Sequence, residues 1–404
     1  MKLRTLMLTI LALTVLVLSL TGCGTKPNVP AASTLPDETV ILPPAANPSV
    51  PAPPLEETIT LTATGDILMH NTQIWSGLQP DGSYDFNDFF TPVSHLIAEG
   101  DYASTNFEAP MAGPQSGYTG YPQFNSPDAM ADTLKATGFD LVVTAHNHTL
   151  DRGYAGAMRT LDVLRQAGLD TTGTFKNEQE REHYLIKDIK GVKVGYLGYT
   201  YGTNGIPVPA DHPESINIID EAQILADISA LRPQVDVLIL VLHWGTEYNP
   251  EASPEQKQLA YTFLEAGADA ILGSHPHVIE PMEIIQIDGK NKFVIYSMGN
   301  FIGNQNGVER NSGIVLKLKY TKNFESGATY LQEVSYTPTY SQSYQQDGKL
   351  RFRVIPVQEG IESIKNGTDP LLGSDDLLIL EQVITQTTEL LGQPFYADAQ
   401  PSGN

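Results

Sequence analysis

The chain has 404 residues, 47 Asp and Glu against 24 Lys and Arg, a formal net charge of -23 and a single cysteine, Cys23. A field of that sign repels nucleic acid and anionic headgroups, so neither is expected as a partner held by general electrostatics. One cysteine excludes both a disulfide framework and a thiolate metal site.

The chain opens with two cations, Lys2 and Arg4, followed by an uncharged apolar stretch from Leu6 to Leu20, too short for a comfortable membrane span. Leu20-Thr21-Gly22-Cys23 resembles the bacterial lipobox. Residues 1–22 are therefore expected to be a lipoprotein signal peptide, with Cys23 the lipidated new N-terminus on the outer face of a membrane. Loss of Lys2 and Arg4 takes the net charge from -23 to -25. Residues 24–57 hold nine prolines and no sustained apolar pattern. Such a segment cannot bury enough surface to offset its ordering entropy, so 23–57 reads as a tether.

The globular part is expected over 58–320, with 321–404 as an extension packed on it. Its repeated unit is a helical stretch, a Gly stop and an apolar strand. The stops are Gly100, Gly138, Gly168 and Gly267, each placed as a left-handed residue closing a helix. Ser126-Pro127 and Ser253-Pro254 read as helix starts, Gln256 completing a capping box for the second. Val235 to Leu242 and Phe293 to Tyr296 are nearly continuous apolar runs, as in strands covered on both faces. The pattern predicts a layered α/β core. After about Thr321 it changes to Tyr, Ser, Thr and Gln, with a strand at Lys349 to Val357 and an amphipathic helix from Leu377 to Leu391, expected as a hairpin and terminal helix.

Short polar bursts follow the apolar runs: Gly65-Asp66-Ile67-Leu68-Met69-His70, Asn106-Phe107-Glu108, His146-Asn147-His148-Thr149-Leu150-Asp151, His243-Trp244-Gly245-Thr246-Glu247 and His275-Pro276-His277. Ligands of such sheets collect at the carboxyl ends of the strands. Imidazole, carboxylate and carboxamide together suit Mn, Fe or Zn. Two cations about 3.5–4 Å apart acidify water and clamp phosphoryl oxygens. The chain contains neither a Gly-x-x-x-x-Gly-Lys-[Ser/Thr] phosphate loop nor a Gly-x-Ser-x-Gly elbow.

Taken in order, Thr64-Gly65-Asp66, Asn106-Phe107-Glu108-Ala109-Pro110, Ala145 to Gly153, His243 to Tyr248, Gly267 to His277 and Tyr296 to Phe301 resemble the capsule-synthesis protein CapA family. The resemblance runs from about Ile59 to Phe301. It implies a poly-γ-glutamate capsule domain with a calcineurin-like metallophosphoesterase fold, an αββα sandwich. It implies two divalent cations: Asp66 and His277 on the first, Asn147, His243 and His275 on the second, and Glu108 bridging. His148 would protonate a leaving group or steady transition-state charge, and Asp151 would fix its tautomer. The chain departs from the wider superfamily in three places. The nearest histidine after Asp66 is His70, four residues on, Glu108 stands where Asp is commoner, and His146 stands where Asn is.

Each burst also has a plainer reading. Asn147 alone would be a turn or cap residue, Trp244 a packing residue beneath the site, Asn300 a turn former with a site-facing amide left open, and Glu247 either an acceptor near the site or an exposed charge. Two functions stay open. One is a metal-dependent hydrolase of a phosphate ester or related bond, serving the synthesis or export of poly-γ-glutamate or a related anionic envelope polymer. The other is a non-catalytic assembly factor that binds polymer or organises membrane-embedded synthesis proteins. A polyanion-binding scaffold would be expected to carry a basic groove, so the acidity of the chain favours the first.

Overall fold

The computed structural model describes residues 55–396, all within one compact unit, Pro53–Asn404. The signal, lipobox and most of the tether lie outside the described residues. No helix among the described residues is long and apolar enough to cross a membrane.

Among the described residues fifteen strands follow in chain order: β1 (Glu56–Ile67), β2 (Tyr102–Phe107), β3 (Leu141–Val143), β4 (Asp170–Thr172), β5 (Leu185–Ile189), β6 (Val192–Thr200), β7 (Val237–His243) and β8 (Ala270–Ser274). The rest are β9 (Met282–Ile287), β10 (Lys290–Ile295), β11 (Asn300–Ile302), β12 (Ser312–Asn323), β13 (Thr329–Gln346), β14 (Lys349–Pro356) and β15 (Phe395–Tyr396). They form two sheets. One runs β14-β13-β12-β1-β2-β3-β4, with β11 beside β1 and β15 beside β13, and the other runs β5-β6-β7-β8-β10-β9. Strands β1 to β4 are parallel, as are β6, β7, β8 and β10.

Crossover helices cover the outer faces because parallel neighbours need a long connection. The helices Ala129–Thr137 and Gly153–Gln166 join β2 to β3 and β3 to β4. Glu221–Leu231 and Pro254–Ala266 do the same for β6 to β7 and β7 to β8. The period of two along β7 splits its side chains between two cores. Val237, Ile239 and Val241 pack between the sheets, while Leu238, Leu240 and Leu242 pack under the outer helices. A strand apolar on both faces reads as an unbroken run, and that is why Val235 to Leu242 carried no alternation. A third apolar layer lies between the first sheet and its helices, around Phe90, Phe139, Phe301 and Leu134. The result is the αββα sandwich expected from the sequence.

The C-terminal part is more deeply built in than an extension. β12 pairs antiparallel with β1 from Glu56↔Asn323 to Thr64↔Val315. The expected boundary at 320 therefore falls inside a strand next to the centre of the first sheet. β13 and β14 form the expected hairpin, followed by two helices, Val357–Asn366 and Ser374–Leu391, which share an apolar cluster with Ile355.

Gly138, Gly168 and Gly267 have φ of 109°, 82° and 128°, in the left-handed region expected of helix-closing glycines. Gly100 does not, and its smallness answers a close approach instead, since a Cβ there would lie 2.4 Å from Thr62 Oγ1. Ser253 accepts from Gln256 N and Gln256 Oε1 accepts from Ser253 N, the expected capping box. Ser126 is not a cap; its helix starts after Asp128.

Candidate metal centre

The polar bursts converge where the carboxyl ends of both sheets meet. Parallel pairing sets Asp66 of β1 opposite Asn106 of β2, and His243 of β7 opposite Ser274 of β8. Contacts then cross between the sheets. His275 N donates to Asp66 Oδ2 at 3.0 Å, and Asn147 Oδ1 lies 2.9 Å from His243 Nε2. Glycines let the segment Tyr296 to Gly299, which leads from β10 in one sheet to β11 in the other, lie close against both. A Cβ at Gly65 would lie 1.9 Å from Gly299 O, and one at Gly273 only 1.7 Å from Tyr296 O. His275 and His277 are non-glycine residues at φ of 100° and 58°. Backbone held there costs about 1–3 kcal/mol per residue and persists where surrounding structure fixes it, commonly at functional sites.

Two groups of three donors, each with ligand atoms within 4.8 Å of one another, share Glu108: Asp66, Glu108 and His277, and Glu108, His243 and His275. All of these residues are buried. Glu108 Oε1 lies 3.6 Å from His243 Nε2 and 3.8 Å from His277 Nε2, and His277 Nδ1 lies 3.3 Å from Asp66 Oδ2. Neither carboxylate oxygen of Glu108 has a hydrogen-bond partner among the described residues, nor does Nδ1 of His275. A buried carboxylate without a donor is costly. Divalent cations fit these residues: unpartnered oxygens face imidazole nitrogens across a ligand-sized gap, and the donor set is hard to borderline.

The site's electrostatics follow from burial and mutual contact. Burial pushes the Glu108 carboxyl up to about 8. His243 is driven down to about 3, again by burial, and is neutral at physiological pH. For His277 burial acts downward, but the charge of Glu108 and the hydrogen bond to Asp66 outweigh it, raising the imidazole to about 9. Asp66 shows the converse: burial would raise it, yet the hydrogen bond and charge of His277 hold it below its ordinary value.

Metal ligation needs the carboxylate form of Glu108 and neutral His277, so cation binding must release protons. Manganese affinity is therefore expected to rise by about tenfold per pH unit for each proton released, levelling off as pH passes the raised values of about 8 and 9. Calorimetric titration across that range checks it, and a pH-independent affinity would contradict the assignment.

The His148–Asp151 pair sits beside the donors. His148 Nδ1 is 2.8 Å from Asp151 Oδ2, which also accepts from Phe124 N at 2.7 Å. Phe124 packs edge-on against the imidazole, 4.6 Å between ring centres. Nδ1–H is thus committed to Asp151, leaving Nε2 as the exchangeable position.

Other residues take clearer places. Trp244 is buried, donates to Tyr296 O at 2.9 Å and packs under the second sheet. Asn300 is not a mere turn former, since its buried Oδ1 lies 3.1 Å from His277 Nδ1. Glu247 is exposed, yet its carboxylate groups with His275 and His277. His70 and His146 stay outside all three donor groupings; His70 packs 5.6 Å from Phe124, and His146 lies 6.2 Å from His243, between ring centres. The loop after β6 adds two residues that the sequence did not single out. Tyr201 lies 4.5 Å from His275, between ring centres, and Asn204, at φ 50°, accepts from Asn147 Nδ2 at 3.2 Å. No histidine or acid lies between Tyr196 and Ala210 to mark them.

The fold and the cluster define a layered α/β protein with a candidate divalent-metal centre at the meeting of its two sheets. The family model described as "Bacterial capsule synthesis protein PGA_cap" matches residues 60–305, and the chain belongs to that family. It is 30% identical over 259 residues to the capsule biosynthesis protein CapA of Bacillus anthracis, covering 62% of this chain and 61% of that one. It is 27% identical over 314 residues to the PGA biosynthesis protein CapA of Bacillus subtilis, covering 73% and 78%. Among solved structures it is similar to a putative 5'-nucleotidase from Staphylococcus aureus, with a TM-score of 0.45 at 15% identity, covering 81% of this chain and 58% of that one. A phosphatase from Mycoplasma pneumoniae gives 0.43 at 13% identity, covering 70% and 93%.

Proposed function

We propose that this protein is a metal-dependent hydrolase of a phosphate ester or related bond, acting in the synthesis or export of a poly-γ-glutamate capsule or related envelope polymer. The polymer context is supported by the family and by the names of its CapA relatives. The chemistry is supported by one observation above all: buried Glu108 has two unpartnered oxygens and is shared by two donor groups. Asp66, Glu108 and His277 would hold one cation, and Glu108, Asn147, His243 and His275 the other. A bound pair supplies Lewis acidity and offsets charge on phosphoryl oxygens. The protein's own residues do the rest. His148 passes a proton between Nε2 and the leaving oxygen, while Asp151 holds Nδ1–H and with it the ring orientation. A lipid on Cys23 would keep this domain on the extracytoplasmic face, near membrane-embedded synthesis proteins.

The test is metal content and turnover together on residues 53–404, which carry every apolar cluster described above. Elemental analysis is expected to find two divalent ions per chain after manganese loading, with hydrolysis of at least one ester in a phosphoester panel. A domain that binds no metal and cleaves nothing would leave only the assembly-factor role.

A further inference from the structure

A trough of about 570 Å³ is lined by Tyr248 and by Val278, the residue after His277, and is within the size range that holds small organic ligands. Its inner wall is Tyr248, whose ring centre lies 6.0 Å from that of His277. The Arg310 guanidinium lies 3.9 Å from the centre of the same ring, and Arg310 Nε has no hydrogen-bond partner among the described residues. Tyr248 is held at φ 65° with its N–H bonded to Pro276 O at 2.7 Å. Strained backbone thus fixes an aromatic ring between the donor cluster and the trough.

Away from the cluster the lining turns aliphatic, with Val278 and Ile279 following His277, and Val383 and Leu390 from the helix Ser374–Leu391. Two carboxylates, Glu309 and Glu389, also line it. Thus Tyr248 joins the trough to His277 on one side and to Arg310 with its neighbour Glu309 on the other, and the rest of the lining is largely hydrocarbon.

We propose that the trough is a subsite for the uncharged apolar tail of an amphiphilic phosphate ester, whose phosphate sits at the donor cluster beside Arg310. This rests on reading the cluster as a phosphoester centre. Charge decides against the polymer itself as occupant: Glu309 already faces Arg310 Nε at 3.9 Å, so the repeated carboxylates of a polyanion would compete with it there and would meet Glu389, which has no ion-pair partner among the described residues. A hydrocarbon tail loses nothing to those acids and gains by burial against the four aliphatic side chains.

The test measures binding of inorganic phosphate and of butyl, hexyl and octyl phosphate to manganese-loaded residues 53–404 by calorimetry. Each added methylene is expected to tighten binding on the order of threefold. Leu390→Glu, and Gln386→Trp from an exposed position that leaves the core untouched, are expected to flatten the series while inorganic phosphate binds as before. Arg310→Ala is expected to weaken all four ligands in equal proportion. A flat series in the unmodified protein overturns the proposal. So does a flat series accompanied by binding of γ-linked triglutamate that Gln386→Trp abolishes, because the trough would then take polymer. A steep series without turnover removes the hydrolase reading and leaves the subsite, whereas turnover with a flat series does the reverse.

Discussion

Glu108→Gln is expected to change the domain's stability in opposite directions with and without metal. In the metal-free protein the Glu108 carboxyl is raised to about 8 by burial. A folded value above the unfolded one means that the stability it contributes is full below the ordinary carboxylate range and is lost as pH rises through about 8. Above that pH the wild type carries a buried carboxylate whose oxygens have no hydrogen-bond donor among the described residues. A neutral amide of similar size removes that cost, and the variant in chelator is expected to be more stable by about 1–3 kcal/mol. With manganese the order reverses. The wild type should gain about 2.7 kcal/mol at a hundredfold excess over its Kd, and the variant little, since Glu108 belongs to both donor groups. Thermal melts of both proteins, with chelator and with manganese above pH 8, check the reversal. Parallel responses would mean that Glu108 holds no cation.

The parts legible in the sequence share a physical cause. Strand-end donors stood out because an apolar run stops abruptly at a polar group, as where β7 ends at His243 and β8 at Ser274 before His275. The capping box at Ser253 and the left-handed Gly138, Gly168 and Gly267 were readable because they are local, set by neighbours within one turn. What was missed depends on distant chain. β12 is central only because β1 pairs with it more than two hundred residues away, and no composition signal in Thr321 onward tells a central strand from an edge one. Tyr201 and Asn204 carry ordinary side chains, and only the folded backbone sets them beside the cluster, as it sets Arg310 over the ring of Tyr248. Asn300 was underestimated for the same reason. Its preceding Gly299 reads as a turn, and the approach of His277 is visible only in three dimensions. Gly100 erred the other way, a local signal standing over a tertiary contact with Thr62.

His148→Ala separates chemistry from binding. The imidazole lies outside the three donor groupings, so its loss is expected to leave metal content, fold and KM close to those of the parent. Turnover on a susceptible ester should fall by about 10²–10⁴-fold, the usual contribution of a positioned proton donor. The loss should shrink for esters whose alcohol leaves without protonation, because the departing oxygen then takes no proton from Nε2. Asp151→Asn should cost less, about 10–100-fold, since an amide oxygen in the place of Oδ2 can still accept from both Nδ1–H and the Phe124 N–H but lacks the charge that steadies the protonated ring. Steady-state kinetics on a leaving-group series, with metal analysis of each variant, reads all three. Equal losses across the series would reduce His148 to a packing residue against Phe124. Undiminished capsule formation in cells carrying His148→Ala, beside failure in cells carrying Glu108→Gln, would make the metal a structural clamp in an assembly factor.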